Sequence, residues 1–295
     1  MITRRTFLKG MGATVVAGVG MTTYAFGIEP RFRLQVTTYR LHPPRWPTNS
    51  EITRIAVVAD IHACEPWMPE ARIEEIVAVA NGLEPDLTVL LGDYASGISR
   101  FRTGRVKAAQ YAPILGRLRA RLGVRAILGN HDWWSDAPGI RDALEGHGVP
   151  VLENRAERFD HADGSTFWLA GLGDQLAIPN GRGGFDGVDD LPGTLAQVTD
   201  DGPVVLLAHE PDIFAEVPDR VGLTLAGHTH GGQVNIPFFG RPIVPSAYGE
   251  RFAYGHIIDD DRHLVVSGGL GCSILPVRFR VPPEIVLVEL GASQA

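Results

Sequence analysis

A chain of 295 residues is long enough for one large α/β domain or two ordinary ones, and too long for a disulfide-held miniprotein. Apolar residues at 44% and charged residues at 21% sit near globular averages, while 35 glycines and 21 prolines point to many ordered loops rather than to disorder. Net charge is −7; Arg4, Arg5 and Lys9 contribute +3 with no acid among residues 1–27, so the remainder carries −10, which argues against a nucleic-acid partner.

Residues 3–9 read TRRTFLK, and the apolar run from Met11 to Ala25 that follows is shorter than the ~20 residues a membrane span needs. The pair Arg4-Arg5 followed by Phe7-Leu8-Lys9 resembles a twin-arginine leader. That implies handling by the twin-arginine export machinery, export of an already folded chain, and residence in the periplasm or cell envelope. Cleavage after Ala25 or Gly27 and an uncleaved leader serving as a membrane tether both stay open. Residues 1–27 are read as signal peptide, 28–53 as an N-terminal extension or linker, 54–290 as one domain and 291–295 as a tail.

Short β-branched runs alternate with segments of helical period. Strands are predicted at Ile55–Ala59, Leu87–Leu91, Val124–Leu128, Thr166–Ala170, Val204–Ala208, Leu223–Ala226, Leu264–Ser267 and Ile285–Leu290. Helices are predicted at Pro69–Leu83, Val106–Leu122, Gly139–His147 and Pro192–Val198, with a flexible insertion at Asn180–Asp190. This is the rhythm of a layered α/β fold.

Five of these strands end in residues that can bind metal: Asp60 and His62, Asp93, Asn130 with His131, His209, and His228 with His230. In α/β sheets ligands collect beyond the carboxyl ends of the strands, so these loops are expected to converge. The donors Asp60, His62, Asp93, Asn130, His209, His228 and His230 mix oxygen and nitrogen, which suits Mn, Fe or Zn and exceeds what one tetrahedral ion needs. Asp93 is the natural bridge, because a carboxylate has two oxygens that can each take an ion. Two such ions about 3.5–4 Å apart hold a hydroxide and clamp the attacking and leaving oxygens of a phosphorus centre. His131 is left over as the group that protonates or stabilises the leaving oxygen.

The ordered set Asp60-x-His62, Gly92-Asp93, Gly129-Asn130-His131-Asp132, His209 and Gly227-His228-x-His230 resembles the calcineurin-like metallophosphoesterase superfamily. The resemblance implies a four-layer α/β/β/α sandwich over roughly residues 54–290. It implies one ion on Asp60, His62, Asp93 and His230, a second on Asp93, Asn130, His209 and His228, and His131 with Asp93 and Asn130 as the catalytic set. The leader together with GHTHGGQ at 227–233 resembles exported bacterial phosphodiesterases, near the UDP-diacylglucosamine pyrophosphatases of lipid A synthesis. A purple acid phosphatase does not fit, because Tyr94 follows Asp93 directly and Ser96 occupies the position where that group has a ligand tyrosine.

The expected function is therefore hydrolysis of phosphodiester or pyrophosphate bonds with two divalent metal ions, most simply as a phosphodiesterase. A lipid-linked pyrophosphatase at the membrane surface and a metal-free protein-binding scaffold are the alternatives. Arg241, Arg251, Arg278 and Arg280 follow the last ligand motif and are candidate phosphate contacts, as are Arg100, Arg102 and Arg105 around Phe101. Trp133, Trp134, Trp67 and Met68 are candidates for an apolar rim or for buried packing. Cys64 and Cys272 allow one bridge at most, and folding before export in a reducing cytosol argues against it. His42, His147, His161, His256 and His263 are read as surface or packing residues.

Overall fold

The computed structural model describes residues 3–47, 51–98, 104–161 and 163–291. Its strands in chain order begin with β1 (Gln35–Leu41), β2 (Thr53–Val58), β3 (Cys64–Glu65), β4 (Leu87–Leu90), β5 (Gly104–Arg105), β6 (Val124–Ala126), β7 (Arg155–Asp160) and β8 (Thr166–Gly171). They continue with β9 (Ile178–Pro179), β10 (Phe185–Asp186), β11 (Val204–Leu207), β12 (Leu223–Ala226), β13 (Gly255–Asp259), β14 (Arg262–Val266) and β15 (Glu284–Leu290). The helices are α1 (Arg4–Thr23), α2 (Glu29–Phe32), α3 (Glu70–Gly82), α4 (Ala108–Leu115), α5 (Asn130–Trp133), α6 (Ala137–Gly146) and α7 (Leu191–Leu195).

One sheet has the order β1-β15-β2-β4-β6 and the other β13-β14-β12-β11-β8-β7. Within them β2-β4-β6 and β14-β12-β11-β8 run parallel, so each sheet brings several carboxyl ends to one edge. The inner strands are apolar on both faces because both faces are covered. Ile55 and Val57, Leu87 and Val89, Val205 and Leu207, and Leu223 and Leu225 point between the sheets with Phe167. Their neighbours Val58 and Leu90 meet Ile73 and Ile76 of α3, together with Leu144 of α6, on one outer face. Val204, Leu206 and Leu264 meet Phe214 and Phe252 on the other. Among the described residues that second outer layer consists of α7 and short 3-10 turns.

All eight predicted strands form, with ends shifted by at most two residues. Besides the two-residue strands β3, β5, β9 and β10, the strands the sequence concealed, β1, β7 and β13, are edge strands of the two large sheets, which need no continuous apolar run because one side lies open. In β1 burial alternates along the chain, and it pairs in parallel with β15 from Gln35↔Glu284 to Leu41↔Leu290. Residues 28–53, expected as an extension, therefore contribute a strand to the first sheet. The helix predicted over Val106–Leu122 is shortened to α4, since Pro113 disrupts the interior and the chain turns at Gly116.

The loops after β4 and β6, neighbouring strands of the first sheet, approach closely at Gly92, whose φ is +88°. A Cβ there would lie 2.4 Å from Gly129 N and 2.7 Å from Leu128 C. Gly92→Ala should therefore combine backbone strain with overpacking and cost about 2–4 kcal/mol. Urea unfolding of the metal-free variant checks this, and wild-type stability would show that the two loops have slack.

Candidate metal centre

Asp60 and His62 leave β2, Asp93 follows β4, Asn130 opens α5 beyond β6, His209 follows β11, and His228 and His230 follow β12. The structure brings all seven together. Asp60, His62, Asp93, His228 and His230 each have positive φ, between 45° and 67°, a region costly for residues with a Cβ.

Hydrogen bonds hold these turns. The Asp132 carboxylate accepts the backbone N–H groups of Asp93 (2.8 Å), Ala95 (2.9 Å) and Gly129 (3.0 Å). Asp60 Oδ1 accepts the His228 N–H at 2.9 Å, tying the first motif to the last. Asp93 Oδ1 accepts the His131 N–H at 2.9 Å. Its other oxygen, Oδ2, lies 3.4 Å from His62 Nε2 and 3.3 Å from His209 Nε2. The bridge expected to use two carboxylate oxygens is thus offered by one, because the backbone holds the other.

His62 Nδ1–H donates to the Ala95 carbonyl at 2.9 Å and His209 Nδ1–H to the Leu91 carbonyl at 2.7 Å, which aims both Nε2 atoms inward. His62 Nε2 and His230 Nε2 approach to 3.0 Å, and His230 Nε2 lies 3.6 Å from Asp60 Oδ1. Asn130 Oδ1 is 3.2 Å from both His209 Nε2 and His228 Nδ1. Asp60 Oδ2 is buried without a hydrogen-bond partner. The atoms form two groups that can each hold a cation, Asp60-His62-Asp93-His230 and Asp93-His209-His228, with Asn130 Oδ1 beside the second. The orphaned oxygen, the converging ring nitrogens and the mixed donor chemistry fit divalent transition metals.

Burial pushes Asp60 up to about 7, offset in part by His209 and reinforced by Asp93. Burial drives His62 down to about 3 and, with His62 and Arg278 nearby, holds His230 well below the imidazole range. Burial opposes charge on Asp93 and His209 as well, but their mutual attraction keeps Asp93 well below the carboxylate range and His209 well above the imidazole range.

His131 is half-buried beside a cleft of about 720 Å³ that also exposes Arg105, Lys107, Trp134 and Asp136. Its Nε2 lies 3.2 Å from Ser273 Oγ, and Trp134 packs edge-on to it at 4.9 Å. Trp134, stacked on Phe185, is the rim tryptophan; Trp133 packs against the core, Met68 is buried, and Trp67 donates to the Phe26 carbonyl.

The arginines divide sharply. Arg278, expected at the phosphate, is fully buried and donates to the carbonyls of Gly271 and Val281, with Nη2 3.3 Å from His230 Nδ1. It braces His230 instead. Arg251 pairs with Asp259 at 2.9 Å, and Arg241 donates to the Gly231 carbonyl while lying over Tyr254, so both are engaged elsewhere. Arg280 is exposed, and Arg100, Phe101 and Arg102 lie outside the described residues. Cys64 and Cys272 are free thiols packed with Ile98. Glu210 and Asp174, acids beside His209, were not singled out from the sequence; Gly173-Asp174 at the end of β8 repeats the Gly92-Asp93 pattern.

Metal loading should release protons. His209 carries its proton at pH 7 in the metal-free protein and Asp60 is about half protonated, so a cation displaces roughly one to two protons. Affinity should accordingly fall as pH drops. Calorimetry of Mn²⁺ binding in buffers of different ionisation enthalpy reads the number directly, and a heat independent of buffer would contradict it.

A family model described as calcineurin-like phosphoesterase matches residues 53–232. The chain is 31% identical over 295 residues to an uncharacterized metallophosphoesterase, YkuE, of Bacillus subtilis (strain 168), covering 98% of each chain. It is 28% identical over 302 residues to phosphodiesterase YaeI of Escherichia coli (strain K12), covering 98% of this chain and 100% of that one. Among solved structures, a 5'-nucleotidase precursor from Thermus thermophilus aligns with TM-score 0.47 at 15% identity, covering 75% of this chain and 50% of that one. The chain belongs to the calcineurin-like phosphoesterase family, with its mixed α/β two-sheet fold, and is a metal-dependent hydrolase of phosphoric esters.

Proposed function

We propose that the chain is an exported phosphodiesterase with a dinuclear centre. The observation that carries this reading is Asp93 Oδ2, placed within 3.4 Å of a nitrogen from each donor group. Asp60, His62, Asp93 and His230 hold one divalent ion, and Asp93, Asn130, His209 and His228 hold the other, as Mn, Fe or Zn. Such ions supply Lewis acidity, lowering the pKa of water and neutralising phosphoryl charge.

The protein supplies the rest. Asn130 presents its amide oxygen from the first turn of α5, which leaves His131 beside it facing the cleft. There His131 is placed to protonate the departing oxygen, with Ser273 orienting Nε2. Gly97 makes this pair possible, because a Cβ there would lie 2.8 Å from Ser273 Oγ and 2.9 Å from His131 Cε1. Arg105, Lys107 and Trp134 line space for the leaving substituent. That space, and the full-length likeness to a relative named as a phosphodiesterase, favour a diester over a monoester.

The leader reading supports export through the twin-arginine machinery to the periplasm or cell envelope. Ala25 O accepts the Arg278 N–H at 2.9 Å and Glu29 Oε1 accepts the Val281 N–H at 2.8 Å, so the end of the leader packs on the domain. This packing favours retention of the leader as a tether. No helix among the described residues is long and apolar enough to cross a membrane.

With bis-p-nitrophenyl phosphate, metal-free protein should gain activity on adding Mn²⁺. His131→Ala should lose about 10²–10⁴-fold in kcat while still binding metal, and Asp93→Asn should fall to background with weakened metal binding. Folded protein that binds no metal and hydrolyses nothing would return the scaffold alternative.

One observation favours a lipid-linked substrate at a membrane surface. Phe238 and Phe239 are fully and 84% exposed, with Ile243 and Ile274 also open. Gln233 links their loops, bonding to Ser273, the His131 partner. Phe238→Ser with Phe239→Ser should lower hydrolysis of a vesicle-borne diester several-fold and leave the soluble substrate untouched. Equal rates on vesicles would remove this reading.

A further inference from the structure

Two buried acids lie against the second donor group, and the reaction described above does not use them. Glu210 is 4% exposed and Asp174 1%. Glu210 Oε2 accepts the Gln175 N–H at 3.1 Å, whereas Glu210 Oε1 and Asp174 Oδ2 are buried without a hydrogen-bond partner. Oε1 lies 4.0 Å from His228 Nδ1. One oxygen of each acid and a ring nitrogen of His209 lie within 4.8 Å of one another. Ligand bonds of about 2.0–2.2 Å put two donors on opposite sides of an ion roughly 4.0–4.4 Å apart. Oε1 is therefore close enough to His228 Nδ1 for the two to share one ion.

We infer that Glu210 is a fifth protein ligand of the second ion, joining Asp93, Asn130, His209 and His228, and that Asp174 is a positioning residue that packs against its carboxylate. This rests on the two-ion reading above. An Asn-His-His-carboxylate group with one further carboxylate is harder and more anionic, which favours an ion that accepts more than four ligands, such as Mn²⁺.

The test is Mn²⁺ binding by full-length metal-free protein, measured by equilibrium dialysis with elemental analysis and by electron paramagnetic resonance of the loaded pair. Wild type should bind two spin-coupled ions. Glu210→Gln should keep one at wild-type affinity and bind the other at least about tenfold more weakly, with an uncoupled signal at intermediate metal; Asp174→Asn should show a smaller loss at the same ion. Two ions bound with wild-type affinity by Glu210→Gln would overturn this inference alone, while fewer than two in wild type would overturn the dinuclear reading and this inference with it. If Glu210→Gln does not fold, anomalous diffraction from Mn²⁺-loaded wild-type crystals decides. Oε1 within about 2.4 Å of the second ion supports the assignment, and a separation beyond about 3 Å rejects it.

Discussion

Asp132 is completely buried and lies outside both donor groups, yet the centre depends on it. Its two oxygens take backbone N–H groups from Asp93, Ala95 and Gly129, and so fasten the loop after β4 to the loop after β6. Asp60 does the same between β2 and β12 through the His228 N–H, and Asp93 between β4 and α5 through the His131 N–H. A carboxylate gripping amides across strands fixes the backbone, and through it the direction of each donor side chain. The cost is local: five of the candidate donors adopt positive φ, worth about 1–3 kcal/mol each. Packing between the sheets offsets it, since Ile55, Leu87, Val205 and Leu223 are completely or almost completely buried behind the edge.

The electrostatics follow from that geometry. Four imidazoles and two carboxylates share a volume that excludes bulk water, so they cannot all keep their ordinary protonation states. Without metal the group settles by pairing Asp93 with a protonated His209 and leaving His62 and His230 neutral. Arg278, buried beside His230, adds a fixed positive charge that keeps that ring unprotonated and available. A cation therefore replaces protons in a frame already built, rather than assembling one.

Much of this was legible because chemistry and topology coincide. Strands apolar on both faces announce themselves, and donors placed directly after five of them could converge only at one edge. The edge strands were hidden for the converse reason: Arg155–Asp160 reads RAERFD, with one buried residue. Arg278 misled because an arginine among loop glycines and prolines reads as solvated, and only the fold shows its guanidinium buried among carbonyls. Glu210 was masked by its neighbour, since an acid following a histidine carries no spacing signal. Asp174 had one, the Gly-Asp pair at a strand end, but no histidine accompanies it in sequence.

Charge balance connects these neglected acids to substrate choice. With Asp60 and Asp93 as the only anionic ligands, two divalent ions would leave the centre at a formal +2, matched to a dianionic phosphate monoester. A third anionic ligand at Glu210 would lower it to +1, which a phosphodiester monoanion neutralises and a monoester dianion overshoots. Arg105 and Lys107 line the cleft with His131, outside both donor groups, where they can meet charge on a leaving substituent. Glu210 as a ligand would thus add, at the centre itself, to the preference for a diester that the cleft beside His131 already supports.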